Sequence, residues 1–253
     1  MDLSWDATRR RAKRQHGALW RRVRHLEDTD LRYVVEGDGF SAEYQIVNEM
    51  TLYRALTFVD VENDTVRWIG KMAPSDVLFD IGANVGMYTV LAAKARGVRV
   101  FAFEPESQSH AFLQRNIRNN GLDERVTVFC AAVGARTGLD TMFLSTFKAG
   151  YSSHQLGKNV DHHLRARDRE IRQGIVSLRL DELVARGELP CPQHIKIDVD
   201  GFEHRVVEGL TGVLGDARLR SLLVELDRAL PEHAAVVDVI QGAGFVFDEV
   251  SYR

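Results

Sequence analysis

From residue 77 onward, short and mostly apolar runs take turns with stretches of helical spacing, and this order constrains the fold more tightly than any other feature of the chain. A strand with no polar alternation is buried on both faces, as strands are in a parallel sheet covered by helices on either side. Residues 77–79 read as strand one, followed by a glycine turn and a helix over 88–95. Residues 98–103 read as strand two, with a helix over 107–119 that stops at Asn120 and Gly121, where a left-handed cap is expected. Strand three covers 126–132. Strand four covers 194–197 with a helix over 203–210, strand five covers 222–226 with a helix over 231–241, and strand six covers 245–250. The repetition predicts an α/β fold: a doubly wound, Rossmann-like sheet, mostly parallel, with right-handed crossovers.

The 253 residues suffice for one such domain and an appendage. The expected division places the catalytic domain at 71–253 and an N-terminal extension at 1–70. That extension is a basic, helical arm at 1–26, then β-like pieces at 31–35 and 42–47, then a helix ending near Trp68 and Ile69. Pro74 marks the turn into the domain. Residues 133–193 break the alternation between strands three and four. Their edges, 138–144 and 174–180, look like strands, and 148–173 is polar and rich in Gly, His and Arg. Such an insertion hangs over the carboxyl edge of the sheet, where substrate recognition is expected.

Charge is unevenly placed. Residues 1–26 hold eight Lys or Arg against Asp2 and Asp6, so the arm carries +6 and the remainder −9 of a net −3. Such an arm either meets an anionic partner or is a solvated helical extension, and the acidic remainder argues against nucleic acid. Cys130 and Cys191 lie 61 residues apart, which indicates neither a disulfide framework nor a zinc site. A reducing, cytoplasmic location is expected. No apolar run approaches the ~20 residues that cross a bilayer, and no cleavable leader follows the arginine-rich start.

In an open α/β sheet ligands sit beyond the carboxyl ends of the strands. Strand one ends in Asp80, strand two in Glu104, strand four in Asp198 and Asp200, strand five in Glu225 and Asp227, and strand three in the small residues Ala131 and Ala132. One carboxylate could be a helix cap, but four strand ends on one edge point to a site. The sharpest motif is Asp80-Ile81-Gly82-Ala83-Asn84-Val85-Gly86, a turn that opens a helix whose exposed amides could take a carboxylate or phosphate. A dinucleotide fingerprint would want glycines at 82, 84 and 87, but Asn84 and Met87 occupy two of those places, so an amino-acid headgroup fits better than a pyrophosphate. Glu104 is placed to accept both ribose hydroxyl hydrogens. Ala131 and Ala132 leave room for adenine, with Phe103 or Leu122 as packing.

Together with Phe103-Glu104-Pro105, Ala131-Ala132-Val133-Gly134 and the run from Lys196 through Asp198, Asp200 and Gly201 to Glu203, this turn resembles the FkbM family of class I methyltransferases over roughly residues 60–247. The resemblance implies S-adenosylmethionine as cofactor and O-methylation of a hydroxyl on a sugar, glycoconjugate or secondary metabolite. It places Asp80, Gly82, Ala83, Asn84, Gly86, Glu104, Pro105, Ala131 and Ala132 around the cofactor. Two departures stand out: Asp200 occupies a position where the family usually has Glu, and the usual antiparallel last strand is either missing or shares residues 246–253 with strand six as two short strands.

Asp198, beside the expected methyl group, is the candidate base or orienting residue, with Lys196 tuning it, Glu203 anchoring the loop and His154 as a second base. His162 and His163 read as solvated. The oxygens of Asp198, Glu225 and Asp227 would suit Mg²⁺, although no metal is predicted. The expected partner is a small-molecule or glycan hydroxyl acceptor, and a second copy could cover the apolar edge left by a short C-terminal segment. Competing functions are a nicotinamide-dependent oxidoreductase, disfavoured by the glycine pattern, and a non-catalytic or RNA-associated protein using the basic arm.

Overall fold

A computed structural model describes residues 13–27, 29–37, 39–61, 63–152, 154–156, 171–227 and 229–247. The chain divides into two compact units, residues 1–32 and 33–253. The first contains helix α1 (Gly17–Glu27), before which Lys13 Nζ lies 5.4 Å from the centre of the Trp20 ring.

The second unit opens with a strand pair, β1 (Arg32–Gly37) and β2 (Phe40–Gln45), and two helices, α2 (Glu49–Val61) and α3 (Asn63–Gly70). Then come β3 (Val77–Ile81), α4 (Met87–Arg96), β4 (Arg99–Phe103), α5 (Ser107–Asn119) and β5 (Val126–Phe129). The insertion supplies β6 (Ala132–Val133), β7 (Gly138–Phe143), β8 (Gln155–Leu156), β9 (Arg172–Leu178) and the short helix α6 (Leu180–Ala185). The remainder is β10 (His194–Ile197), α7 (Glu203–Glu208), α8 (Thr211–Leu214), β11 (Ser221–Val224) and α9 (Pro231–Gly242).

The central sheet runs β11-β10-β3-β4-β5 with every neighbouring pair parallel. Alternate residues of each strand enter two cores. Leu78, Val100, Ala102 and Val126 pack with α2, α3, α4 and α5, while Phe79, Ile81, Phe101, Phe103, Ile195 and Ile197 pack with α7, α8 and α9. Helices on both faces are what continuous apolar strands require, so the doubly wound α/β expectation holds.

Three boundaries differ from the sequence reading. Strand one continues through Asp80 to Ile81, because the Asp80 carboxylate is buried in the sheet and Oδ2 accepts from Thr89 Oγ1 at 2.5 Å. Strand three stops at Phe129. The chain then leaves the parallel sheet, and Ala132 and Val133 pair with Ser177 and Leu178 in a second sheet of order β6-β9-β7-β8. The expected strand six does not begin at Phe245. After Gly244 at φ 95 the backbone turns back, Phe245 N donating to Ile240 O at 3.3 Å, and Val246 and Phe247 are exposed. Residues 248–250 of that expected strand lie outside the described residues.

Residues 33–70 pack directly on the sheet's helices. Tyr44, Phe58, Ile69 and Met72 are buried in the same core as α4 and α5. Glu43 N and Gln45 N donate to Asn120 Oδ1 and Asn116 Oδ1 at 2.9 and 2.8 Å, so β2 is stitched to the end of α5. Trp68 Nε1 donates to Ser221 Oγ at 2.9 Å, joining α3 to β11. Among the described residues no helix is long and apolar enough to cross a membrane.

Candidate functional site

The carboxyl ends of β3, β4 and β10 meet at the turn 82–86. Gly82, Asn84 and Gly86 all have positive φ (82°, 52° and 88°), a conformation natural for glycine and tolerated by asparagine. At Gly82 the requirement is steric as well: a Cβ there would lie 1.8 Å from Asp198 O, so only glycine lets the turn touch the end of β10. Strand pairing sets Lys196 beside Asp80, and Asp198 N donates to Ile81 O at 3.1 Å.

The amides of the turn itself, residues 82–86, are turned inward. Gly82 N and Ala83 N both donate to Phe103 O, at 3.0 and 3.1 Å. Asn84 N donates to Glu104 Oε2 at 2.8 Å, Val85 N to Asn84 Oδ1 at 2.9 Å and Gly86 N to Ala83 O at 2.9 Å. Each of the five is committed within the protein, because the turn folds back on β4 instead of opening outward.

Glu104 is buried, and Oε1 accepts from Glu106 N at 2.8 Å. Burial pushes its carboxyl up to about 8 against the pull of those two amides, with Glu106 and Asp200 adding repulsion. Each oxygen keeps a second lone pair, so both can still accept from a ligand hydroxyl. Asp200, at φ 56, and Gly201, at φ 104, bend the loop after β10 toward Glu104. An aspartate at 200 suits this backbone, since a short polar side chain visits the left-handed region more readily than a longer one.

Beside Glu104 a surface depression is lined by Pro105, Cys130, Gln173 and Ile175, and Gln173 Nε2 donates to Pro105 O at 2.6 Å. Ala131, next to Cys130, is buried and does not line the depression. Ala132 belongs instead to the small core of Met142, Leu144 and Ile175. Phe103 and Leu122 are not available as packing for a base. Phe103 stacks on Phe129 at 5.1 Å inside one core, and Leu122 is buried in the other.

Asp198 Oδ2 accepts from Lys196 Nζ at 2.9 Å, and the ammonium lies 5.4 Å from the centre of the Tyr88 ring. Burial opposes the Asp198 charge, but Lys196, a hydrogen bond with Glu225 and the charge of Arg54 outweigh it and hold the carboxyl below its ordinary range. Glu203 accepts from Val199 N at 3.0 Å and from Gly201 N at 3.0 Å, closing the loop that follows Asp198. On its far side Glu203 Oε2 lies 2.9 Å from His233 Nε2, while His233 Nδ1 accepts from Asp227 N at 2.8 Å. One buried histidine on α9 thus ties the loops after β10 and β11.

The structure therefore gathers Asp80, Gly82, Ala83, Asn84, Gly86, Glu104, Lys196 and Asp198 at one edge. His154 joins a different set: it is buried, and Nδ1 accepts from Ser145 N at 3.1 Å. His162 and His163 lie outside the described residues. Among the described residues no group of three or more His, Cys, Asp or Glu is placed to hold a metal ion. Three contributors went unseen in the sequence. Arg54 and Thr89 come from helices whose apolar pattern gives no hint of a site, and His233 follows Pro231 in what looks like an ordinary helix start.

The arrangement offers a glycine turn, an acid at the end of the second strand of the motif and a charged pair beyond the fourth. The sequence profile of the methyltransferase FkbM domain matches residues 80–247, the span containing almost all of these groups. The hexuronic acid methyltransferase AglP of Haloferax volcanii is 27% identical over 182 residues, 72% of this chain and 69% of its own. The 31-O-demethyl-FK506 methyltransferase FkbM of Streptomyces tacrolimicus is 30% identical over 204 residues, covering 69% of this chain and 74% of its own. A crystal structure of a methyltransferase FkbM from Methylobacillus flagellatus aligns at 16% identity with a TM-score of 0.46, over 68% of this chain and 38% of the solved one. With two thirds of its length matched by the family profile, and the glycine turn, Glu104 and Lys196–Glu203 all inside that match, the chain belongs to the FkbM methyltransferase family.

Proposed function

We propose that the protein is an S-adenosylmethionine-dependent O-methyltransferase acting on a hydroxyl of a sugar, glycoconjugate or secondary metabolite. The observation that carries this reading is the close approach of Gly82 to Asp198 O beside Glu104. It brings the glycine turn, Glu104 and the Lys196–Asp198 pair to one edge. The two relatives named above, one a hexuronic acid methyltransferase and the other a methyltransferase of an O-demethyl compound, support a sugar or metabolite hydroxyl as acceptor.

The residues fit the cofactor. In this reading Glu104 takes the ribose hydroxyls, the depression at Pro105 and Cys130 takes the adenine, and Asp80 and the turn at 82–86 line the amino-acid end. When bound, the sulfonium supplies a methyl group activated for in-line displacement. Holding the acceptor oxygen in line contributes up to roughly 7–11 kcal/mol. Asp198 accepts the acceptor's O–H hydrogen and fixes the oxygen's direction. Because Lys196 and its other partners hold the Asp198 carboxyl low, it is a weak base, and its part is orientation with late receipt of the proton. Lys196 keeps the carboxylate ionised and aimed, while Glu203 and His233 keep its loop in place.

The test is transfer of labelled methyl from S-adenosylmethionine to a panel of neutral and acidic saccharides and polyketide-like alcohols. Asp198→Asn should lower kcat about 10²-fold, the lower end for a general base, with KM for S-adenosylmethionine unchanged. Full turnover in Asp198→Asn would remove Asp198 from the chemistry. Absence of transfer from S-adenosylmethionine to every acceptor class would count against the reading as a whole.

A further inference from the structure

Arg54 lies on α2, outside the segment matched by the family profile, yet it is held at the site. The hold runs through residues 149–151, which follow β7 within the insertion. Arg54 Nε donates to Gly150 O at 2.5 Å, and Asn48 Nδ2, just before the same helix, donates to Ala149 O at 2.9 Å. From the glycine turn, Asn84 Nδ2 donates to Tyr151 O at 3.0 Å. From within, Gly150 N donates to Ser109 Oγ at 3.2 Å. Asn48 also fixes where α2 begins, its Oδ1 accepting from Thr51 N at 2.9 Å, so the position of Arg54 one turn further along is set by a capped helix start. Three consecutive loop residues thus strap Arg54 to Asn84.

The chemistry of the edge leaves a specific need. An amino-acid headgroup presents an α-carboxylate, and the surroundings here are acidic: Asp80, Glu104, Asp198 and Asp200. The amides at 82–86 are already committed within the protein. Lys196 is committed to Asp198 at 2.9 Å. Arg54 is half-buried, and among the described residues its only hydrogen bond is through Nε, which leaves the two terminal nitrogens able to present a fork. A guanidinium fork matches a carboxylate with two parallel hydrogen bonds, and a bond at Nε pre-orients it. The influence of its charge on Asp198 agrees with a place over the same edge.

We propose that Arg54 binds the α-carboxylate of the cofactor's amino-acid portion, so that residues preceding the family-matched segment complete the cofactor site. The assignment rests on the reading of this edge as an S-adenosylmethionine site and deepens it. It also gives the strap at 149–151 a role: a segment of the insertion aligns the residue that fixes the cofactor's far end.

The experiment is a calorimetric comparison of S-adenosylhomocysteine with its decarboxylated analogue, S-adenosyl-3-thiopropylamine, on the full chain and on Arg54→Gln and Arg54→Lys. The wild-type protein should prefer the carboxylate-bearing ligand by about tenfold or more, Arg54→Gln should reduce that preference to under about twofold, and Arg54→Lys should restore part of it. A preference that survives Arg54→Gln overturns the assignment, as does a wild-type protein that binds both ligands equally. Equal weakening of both ligands in Arg54→Gln and Arg54→Lys also overturns it, since that is the signature of a disturbed strap. A wild-type protein that binds neither ligand contradicts the site reading itself, a result separable from all of these.

Discussion

Asp76 sits in the turn before β3 with 4% of its side chain exposed, and it anchors a chain of polar groups across the amino-terminal end of the sheet. Trp68 Nε1 donates to Ser221 Oγ, Ser221 Oγ lies 2.8 Å from His194 Nδ1, and His194 Nε2 lies 3.0 Å from Asp76 Oδ2. With the indole as a fixed donor, the serine hydroxyl donates to Nδ1 and the imidazole N–H donates to Asp76, so one tautomer satisfies the whole series. Arg220 Nη1 and Ala73 N complete the carboxylate at 2.8 Å each. Burial opposes this charge, yet His194, Ala73 and Arg220 together hold the Asp76 carboxyl below its usual value. A depressed native value means that the stabilisation is present above the ordinary carboxylate range and is lost as pH falls through the native one. Asp76→Asn should therefore destabilise the protein by about 1–3 kcal/mol at neutral pH, read by urea unfolding, with the difference from wild type shrinking as pH falls through the range of the native carboxyl. A cost that stayed constant with pH would show that the charge of Asp76 is not what matters. This residue was illegible in the sequence: beside Pro74 it looks like one more turn aspartate, and its partners are 118 and 144 positions away. Asp80, Glu104 and Asp198 were legible because each follows an apolar run that names its strand.

At the scale of elements, strand character could be read where the run was mostly apolar, as in β3, β4 and β11, while in β10 His194 and Lys196 alternate with Ile195 and Ile197 although all four residues are buried. What could not be read was where a strand changes sheet. Residues 126–132 are apolar or small almost throughout, but the chain leaves the parallel sheet after Phe129, and Ala132 pairs with Ser177, a partner that only tertiary structure supplies. The turn at 82–86 was legible as a turn, but not the inward pairing of its own backbone donors with Phe103 O and Glu104, which lie at the end of the next strand. That turn is the element most sensitive to a single methyl group. Gly82→Ala combines φ 82 with a Cβ 1.8 Å from Asp198 O, so the loop after β10 must shift. The strained dihedral alone costs about 1–3 kcal/mol. The variant should melt at a lower temperature and lose S-adenosylhomocysteine affinity out of proportion to its stability. Wild-type affinity in this variant would mean that the contact between the turn and β10 is not part of the site.

Over the whole molecule, the body that carries the site begins near Tyr33, well before the segment a family profile recognises. Residues 33–70 read as part of an extension because they mix short β-like pieces with a helical stretch ahead of the alternating pattern, but Tyr44, Phe58 and Ile69 fill the core under α4 and α5. Asn48 and Arg54 reach the insertion from the same segment. The central claim is that this single body grips a sulfonium nucleoside between the turn at 82–86 and Glu104. Burial lifts Glu104 to about 8 in the free protein, and ribose hydroxyls donating to it favour the anion, so binding lowers its pKa and releases protons. The direct measurement is titration of the full chain with S-adenosylhomocysteine between pH 6 and 9, alongside Glu104→Ala. The account predicts one site per chain, affinity that rises with pH and levels off above about 8, and loss of binding by about tenfold or more in Glu104→Ala. Binding that is independent of pH and unchanged by Glu104→Ala, or no binding at all, would contradict it.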